Sequence, residues 1–459
     1  ILSDILQSGM LPKSLYRKVA ELFRRKKVDR IIGIGRDMKE YGSAFEMRES
    51  EFYLTTDEFI HSPSMKTFRD ELILLKGSRA FHFERITELL EKKVHETVLE
   101  VNLDAVVHNF NHFRSKLHRD TKMVCMVKAF GYGAGSYEVA KTLQEHRCDY
   151  LAVAVADEGE ALRKEGISIP IIVMDPEFSS FNVLFERQLE PEVYSFRLLD
   201  ALMKEAGRRG ITSYPIHIKI DTGMHRLGFR PSDVREICQR LEQQSSLVVR
   251  SVFSHLVGSD SPEHDEFTRR QICLFTQSAE ALEAGLGYPV LKHILNSAGI
   301  ERFTGHQMDM VRLGISLYGI SASVSEAKKL QPVSSLKTTI LQIRDVPAGD
   351  SIGYSRKTYA QRDLRVAILP IGYADGLNRH LSNGVGEVVI NGTRCPIVGN
   401  ICMDICMVDV TDADAQEGDT AIIFGSQLPV TELADKLDTI PYEILTSISP
   451  RVKRIYYRE

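Results

Sequence analysis

Between residues 97 and 325 the chain alternates short apolar runs with longer segments whose apolar positions recur at helical spacing. The runs are 122–128 (KMVCMVK), 149–155 (DYLAVAV), 169–174 (IPIIVM), 190–194 (EPEVY), 214–221 (YPIHIKID), 248–255 (VVRSVFSH), 291–297 (LKHILNS) and 308–315 (MDMVRLGI). Eight strand-plus-helix units over about 220 residues predict a parallel (β/α)8 barrel. Ahead of them, Thr97–Leu103 alternates like a strand, and Asp104 is placed to cap a helix carrying Val107, Phe110 and Phe113.

The flanks differ in texture. Residues 1–95 read as a small α/β domain with a parallel sheet. It holds a helix through Leu15, Tyr16, Val19, Leu22 and Phe23, a strand at 29–35, and a second apolar run, 71–75, leading into Lys76-Gly77-Ser78-Arg79. The charged run Leu90-Glu91-Lys92-Lys93 closes a helix and opens a linker. After residue 325 helical spacing gives way to alternating segments at 336–346, 365–371, 386–390 and 394–398, the last two joined by Asn391-Gly392, the favoured residues of a type I′ hairpin turn. The expected domains are therefore 1–95, a barrel over 96–325, and a mostly antiparallel β domain over 326–459 to which strand 97–103 adds itself.

Composition narrows the function. Hydrophobic residues at 43% and charged residues at 26% exclude a disordered chain. A net charge of −4 gives no electrostatic reason to bind nucleic acid or anionic lipid, and no apolar run reaches the ~18 residues of a membrane helix. The cysteines (125, 148, 238, 273, 395, 402, 406) form no CxxC pair. Neither a disulfide framework nor a metal site is expected, and a reduced, cytoplasmic chain fits best. The first residue is Ile1, so a fragment of a longer protein is expected.

In such a barrel the chemistry gathers at the C-terminal strand ends. There stand Lys128, the glycine-rich Phe130–Gly135, Lys219 to Arg226, Ser254-His255, Asn296-Ser297, and Arg312 to Ile315. A strand-end lysine is usually a solvated terminus, a lone histidine a satisfied rim residue, and Asn-Ser a helix cap. Their joint placement on one rim argues for a site. Lys128 can form a Schiff base with an aldehyde. Ser297 and the backbone N–H groups near Gly314 and Ile315 suit a phosphate, and Arg312 or Asp221 can address a pyridine nitrogen. These demands describe pyridoxal phosphate.

On these motifs residues 97–459 resemble the pyridoxal-phosphate-dependent alanine racemase family. The resemblance implies Lys128 as the Schiff-base lysine and Tyr132 as a phosphate ligand. In Lys219–Gly228 (KIDTGMHRLG) it implies that Arg226 reaches the cofactor's phenolic oxygen and the substrate carboxylate, with Lys219 carbamylated to orient it. It also implies His255 against the pyridine ring, Asn296, Ser297, Gly314 and Ile315 near the phosphate, and Arg312 on the ring nitrogen. In the last domain it implies Tyr354 as the second catalytic residue, Tyr373, Met403 and Asp404 near substrate, and Tyr442 on the phosphate. Phe130-Gly131 and Ala134 depart from the family's usual loop, and Ser355 stands where glycine is frequent.

The implied reaction is racemisation of alanine by two opposed acid/base groups, Lys128 on one face of the α-carbon and Tyr354 on the other. In relatives the tyrosine enters the other subunit's site, so a homodimer with shared sites is expected. A decarboxylase of basic amino acids on the same fold, with Cys402 opposite the lysine, and a non-enzymatic pyridoxal phosphate carrier are the alternatives. Residues 1–93 resemble the C-terminal domain of Mur ligases, as in the enzyme that adds D-alanyl-D-alanine to the UDP-muramoyl tripeptide. The G-D-M-x-E-L-G signature is degraded and no G-x-x-x-x-G-K-[ST] is present, so ligation by this stretch is not expected. A ligase–racemase fusion serving peptidoglycan precursor synthesis is the expectation.

Overall fold

The packing side alternates along Arg30–Ile34: Ile31 packs on one side with Leu2, Tyr16, Ala20, Met38 and Phe45, and Ile32 and Ile34 on the other with Phe59, Phe83 and Ile86. This period of two gives a sheet with apolar residues on both faces. The computed structural model describes residues 1–6, 8–45, 47, 49–68, 71–90 and 97–458. It divides into two units, Ile1–Val94 and His95–Glu459.

In the first unit β1 (Leu2–Ser3), β2 (Arg30–Ile34) and β3 (Glu49–Tyr53) form a parallel sheet in that order. Helices span Pro12–Arg25, Arg36–Glu40, Thr56–Ile60 and Glu84–Leu90. The predicted helix and the strand at 29–35 are present. The run 71–75 is not a strand: a single parallel bridge joins Leu2 to Lys76, and Leu72 and Leu74 are exposed. An apolar run without a covering face has no reason to extend a sheet. Strand β3, which carries Glu49 and Glu51, is a pairing that the hydrophobic pattern did not predict. Of the charged run Leu90–Lys93, residues 91–93 lie outside the described residues.

The second unit opens with β4 (Val98–Asn102). The following helix, Leu103–Arg114, is capped by Asn102, whose side chain accepts the N–H groups of Asp104 and Ala105 at 3.0 Å each. The expected cap, Asp104, already lies inside the first turn of the helix. All eight predicted barrel runs form strands. They are β5 (Lys122–Met126), β6 (Tyr150–Val153), β7 (Ile171–Val173), β8 (Glu190–Val193), β9 (Tyr214–Lys219), β10 (Leu247–Phe253), β11 (Leu291–His293) and β12 (Met310–Leu313). They pair in parallel in the order β11-β10-β9-β8-β7-β6-β5-β12. Across the seam, the Asp309 N–H donates to the Lys292 carbonyl at 3.2 Å and the Arg312 N–H to the Leu295 carbonyl at 3.0 Å.

The rest of the chain builds a sheet from β13 (Ser334–Thr339), β14 (Gln342–Val346), β17 (Leu364–Leu369), β18 (Glu387–Ile390), β19 (Thr393–Val398), β20 (Cys406–Asp409), β21 (Thr420–Phe424) and β22 (Lys453–Tyr457). Their pairings are antiparallel, except that β22 runs parallel to β4, which β13 also flanks. The predicted segment 336–346 is two strands, because the chain breaks at Ile340 and β14 pairs instead with β17. A separate hairpin, β15 (Ser351–Ile352) with β16 (Thr358–Tyr359), brackets Tyr354. The loop after β5 meets the late helix Pro441–Ser447 so closely that a Cβ on Gly133, whose φ is +81°, would collide with the Leu445 carbonyl. Gly133→Ala should therefore destabilise the protein by about 2 kcal/mol or more, read as a drop in thermal midpoint.

Candidate active site

After β5 the chain makes one turn of left-handed helix: Ala129, Phe130, Gly131 and Tyr132 have φ between 50° and 59°. The Gly131 N–H donates to the Val127 carbonyl and the Gly133 N–H to the Ala129 carbonyl, each at 3.0 Å. Each non-glycine residue in this region costs roughly 1–2 kcal/mol, a strain that surrounding contacts must hold. The turn leaves Lys128 half-buried at the strand mouth and returns Tyr132 to the interior. There its ring centroid lies 4.7 Å from that of Tyr318 and 5.5 Å from that of Tyr442.

Arg312 lies on β12, hydrogen-bonded to β5, and is 4% exposed. Its Nη2 donates to the Ser254 carbonyl at 2.5 Å and the Ile294 carbonyl at 3.2 Å, and sits 3.4 Å from His255 Nδ1. Its Nη1 meets His293 Nδ1 at 2.7 Å. A guanidinium has no lone pair, so His293 accepts there and carries its proton on Nε2. That proton faces Ser251 Oγ at 2.9 Å; Ser251 in turn donates to His217 Nδ1 at 2.6 Å, and His217 Nε2 to Glu190 at 2.9 Å. Each group gives one proton and takes one, so the relay has a single self-consistent set of tautomers between the buried cation and a carboxylate.

Register explains the packing. Phe253 on β10 pairs with Lys219 on β9 and His293 on β11. The His293 ring stacks on Phe253 at 4.8 Å and 12°, while the Lys219 ammonium and Arg312 guanidinium lie 5.5 and 5.1 Å from its centroid. Burial, opposed by Glu192, brings Arg312 down to about 10, which leaves it cationic at neutral pH. Burial and then Arg312 push His255 and His293 well below the ordinary histidine value, so both rings are neutral.

The Gly314 N–H donates to Ser297 Oγ at 2.9 Å, which frees the Ser297 hydroxyl proton to point outward. A Cβ on Gly314 would stand 3.4 Å from Tyr132 Oη and 3.7 Å from Ser297 Oγ, so the bare Cα keeps this cradle open. Hydroxyls and amides line it, the donor chemistry a phosphate requires. Ile315 begins the short 3-10 turn at the end of β12. With the Lys128 amine just past the end of β5 and the Arg312 cation on the adjoining β12, the residues present fit pyridoxal phosphate. Asn296 caps the helix Ser297–Arg302, its oxygen taking the Gly299 N–H at 2.9 Å and Ser259 Oγ at 2.8 Å. Asp221, a candidate for the ring nitrogen, accepts three backbone N–H groups from Gly223, Met224 and His225. Burial raises its carboxyl, but those bonds and His225 bring it below the usual range. Arg226 is exposed beyond that turn.

Tyr354, Tyr373, Met403 and Asp404 belong to a second group, on loops of the C-terminal sheet. Tyr354 is 70% exposed, and its carbonyl accepts Asn400 Nδ2 at 2.8 Å. Ser355 has a φ of +62°, the conformation that explains why glycine suits this position. The Tyr373 N–H donates to the Cys402 carbonyl at 3.1 Å and the Ala374 N–H to that of Met403 at 3.0 Å. Asp404 is held at 2.7 Å by Arg451, which also pairs with buried Asp375.

The profile of the alanine racemase N-terminal domain matches residues 101–322, and that of the C-terminal domain 333–456. The chain belongs to the alanine racemase family. It is 40% identical over 375 residues to alanine racemase 2 of Caldanaerobacter subterraneus, covering 79% of this chain and 95% of that one. With alanine racemase 1 of Oceanobacillus iheyensis it shares 38%, covering 78% and 97%. Among solved structures, the alanine racemase of Clostridium difficile superposes with a TM-score of 0.75 at 34% identity, covering 80% of this chain and 97% of that one. The alanine racemase of Bartonella henselae with covalently bound pyridoxal phosphate gives 0.72 at 28%, covering 79% and 100%.

The alanine racemase motifs did not point to Glu190, Glu192, His217, Ser251 or His293. A signal was present: in β8 and β9 polar residues recur at i and i+2 in strands a parallel barrel normally fills with apolar side chains. Ser251→Ala would strand the protons of the relay and should cost about 1–3 kcal/mol in urea unfolding. His255 and His293 are both depressed in the folded state, so their contribution is present above about pH 6.5 and lost as pH falls below it. Stability should accordingly decline on acidification, less steeply in His293→Gln, as followed by thermal unfolding across pH.

Proposed function

We propose that the protein is a pyridoxal-phosphate-dependent alanine racemase interconverting L- and D-alanine, with Lys128 and Tyr354 as its two bases. The observation that carries this reading is the buried Arg312, hydrogen-bonded through both Nη1 and Nη2, on the strand that pairs with the one leading into Lys128. A carboxylate there would favour a protonated pyridine nitrogen; a permanent guanidinium disfavours it and with it side transamination. That distinguishes the site from a decarboxylase of basic amino acids. The cofactor, when bound, supplies an aldehyde that captures an amine and a conjugated ring that delocalises the electron pair left by α-proton removal.

Tyr132, Ser297 as oriented by the Gly314 N–H, the Ile315 amide and Tyr442 would hold the phosphate, His255 would lie against the ring, and Arg226 with Tyr373 and Met403 would address the substrate carboxylate. The Lys128 amine serves one face of the α-carbon. Tyr354 serves the other from a second copy of the chain, an assignment supported by its exposure on a hairpin loop of the C-terminal domain. Free thiols at all seven cysteines support a reducing, cytoplasmic setting. The matched profiles begin at residue 101, past the end of the first unit. Its parallel sheet supports the reading of a Mur-ligase C-terminal remnant, with the whole native chain joining D-alanine supply to peptidoglycan precursor synthesis. A native polypeptide no larger than 51.8 kDa would contradict that fusion.

Chiral analysis of cofactor-loaded protein with L-alanine should show D-alanine; carbon dioxide release from lysine, ornithine or arginine would favour the decarboxylase instead. Lys128→Ala should abolish turnover in both directions together with the visible absorption of lysine-bound cofactor. Tyr354→Phe should lower turnover by about 10²-fold or more. Neither variant alone has an intact site, but mixing them after subunit exchange should restore about a quarter of wild-type activity, because half the dimers gain one complete site of two. No recovery on mixing would place both bases in one chain.

A further inference from the structure

Strand β8 carries a carboxylate that the racemisation itself does not use. Glu192 is fully buried; its Oε1 accepts Lys219 Nζ at 2.8 Å, and its Oε2 has no hydrogen-bond partner among the described residues. Lys219 is itself 5% exposed. The charges that act on Glu192 are Lys219 and Arg312, which favour its ionised form, and Asp175, which opposes it. Four cations, Arg312, Arg226, Lys219 and Lys128, act together on neighbouring His255. Glu192 is thus a built-in anion set against a crowd of positive charge at the barrel mouth.

We infer that Glu192 is a positioning residue for the reaction: it is the fixed counter-ion that holds Lys219 as an unmodified ammonium, in place of a carbamate on that lysine. The inference rests on the racemase reading of the site. A lysine carbamate forms when the lone pair of a neutral amine attacks the carbon of carbon dioxide, one N–C bond forming as one N–H proton leaves. An ammonium paired at 2.8 Å has no lone pair to offer. The product would also replace an attractive ion pair by two anions in a water-poor interior, where charge interactions are strongest. Glu192 reaches Lys219 because β8 and β9 pair Glu192 with His217, two residues earlier on the same face. The same diagonal joins Glu190 to His217. Burial pushes the Glu192 carboxyl up to about 7, with Lys219 pulling it down, so the pair weakens as pH falls through neutrality.

The direct test is ¹³C NMR of the wild-type holoenzyme equilibrated with ¹³C-bicarbonate. No carbamate carbon is expected beyond that seen in Lys219→Met; a signal lost in Lys219→Met overturns the inference. This readout does not depend on turnover, so it fails or succeeds separately from the racemase reading, which is judged by D-alanine formation. In the second arm, Glu192→Gln should lower kcat by about tenfold with KM for alanine changed by less than about threefold, and should remove the acid limb of the pH–rate profile. Glu192→Asp should recover part of kcat. Wild-type kcat and pH profile in Glu192→Gln overturn the assignment. If Glu192→Gln does not fold, Glu192→Gln/Lys219→Met removes both charges: it should fold and remain slow, and full wild-type kcat in it overturns the assignment equally.

Discussion

Holding a guanidinium inside the barrel is the requirement to which the rest of the site answers. An unpartnered buried charge costs several kcal/mol, so Arg312 exists at its position only because partners arrive from several strands. The Ser254 and Ile294 carbonyls come from the ends of β10 and β11, the His293 ring from β11, and the compensating anion from β8. Because these partners are strand-borne, their positions are set by barrel register rather than by loop conformation. A slip of one residue would turn each of them to the opposite face.

The relay from Arg312 through His293, Ser251 and His217 to Glu190 extends that requirement through the barrel interior. A buried polar chain of this kind is stabilising only when every donor finds an acceptor, and here the direction of donation is set at one end by a group that can only give and at the other by one that can only take. The Glu192–Lys219 pair repeats the same diagonal one step nearer the mouth. Together they supply the two acidic side chains of β8 with partners.

Strain at the mouth has a matching support. The left-handed turn after Lys128 is locally unfavourable, and the helix Pro441–Ser447 abuts it where Gly133 leaves no side chain. The C-terminal domain therefore reaches the barrel mouth: its helix Pro441–Ser447 backs the turn that follows Lys128, and its loops display Tyr354, Tyr373 and Met403. Ser355 and Arg356, next to Tyr354 on the hairpin loop, also have positive φ. These two turns adjoin the groups assigned to proton transfer.

Most barrel strands and the hairpin through Asn391-Gly392 were legible in the chain because strands buried on both sides leave apolar runs, β8 and β9 being interrupted by polar residues, and positive φ at two successive residues demands a particular turn pair. Lys128, Arg312, Ser297 and Gly314 were legible because strand ends face one rim whatever the details of packing. Local pattern misled where two nearby residues compete for one role or the deciding neighbour is remote: Asn102 rather than Asp104 caps its helix, and Leu72 and Leu74 find no sheet to join. Cross-strand partnership depends on register between segments distant in the chain, so only the folded barrel could pair Glu192 with Lys219, His293 with Arg312, and Asp221 with its own turn rather than with a ring nitrogen.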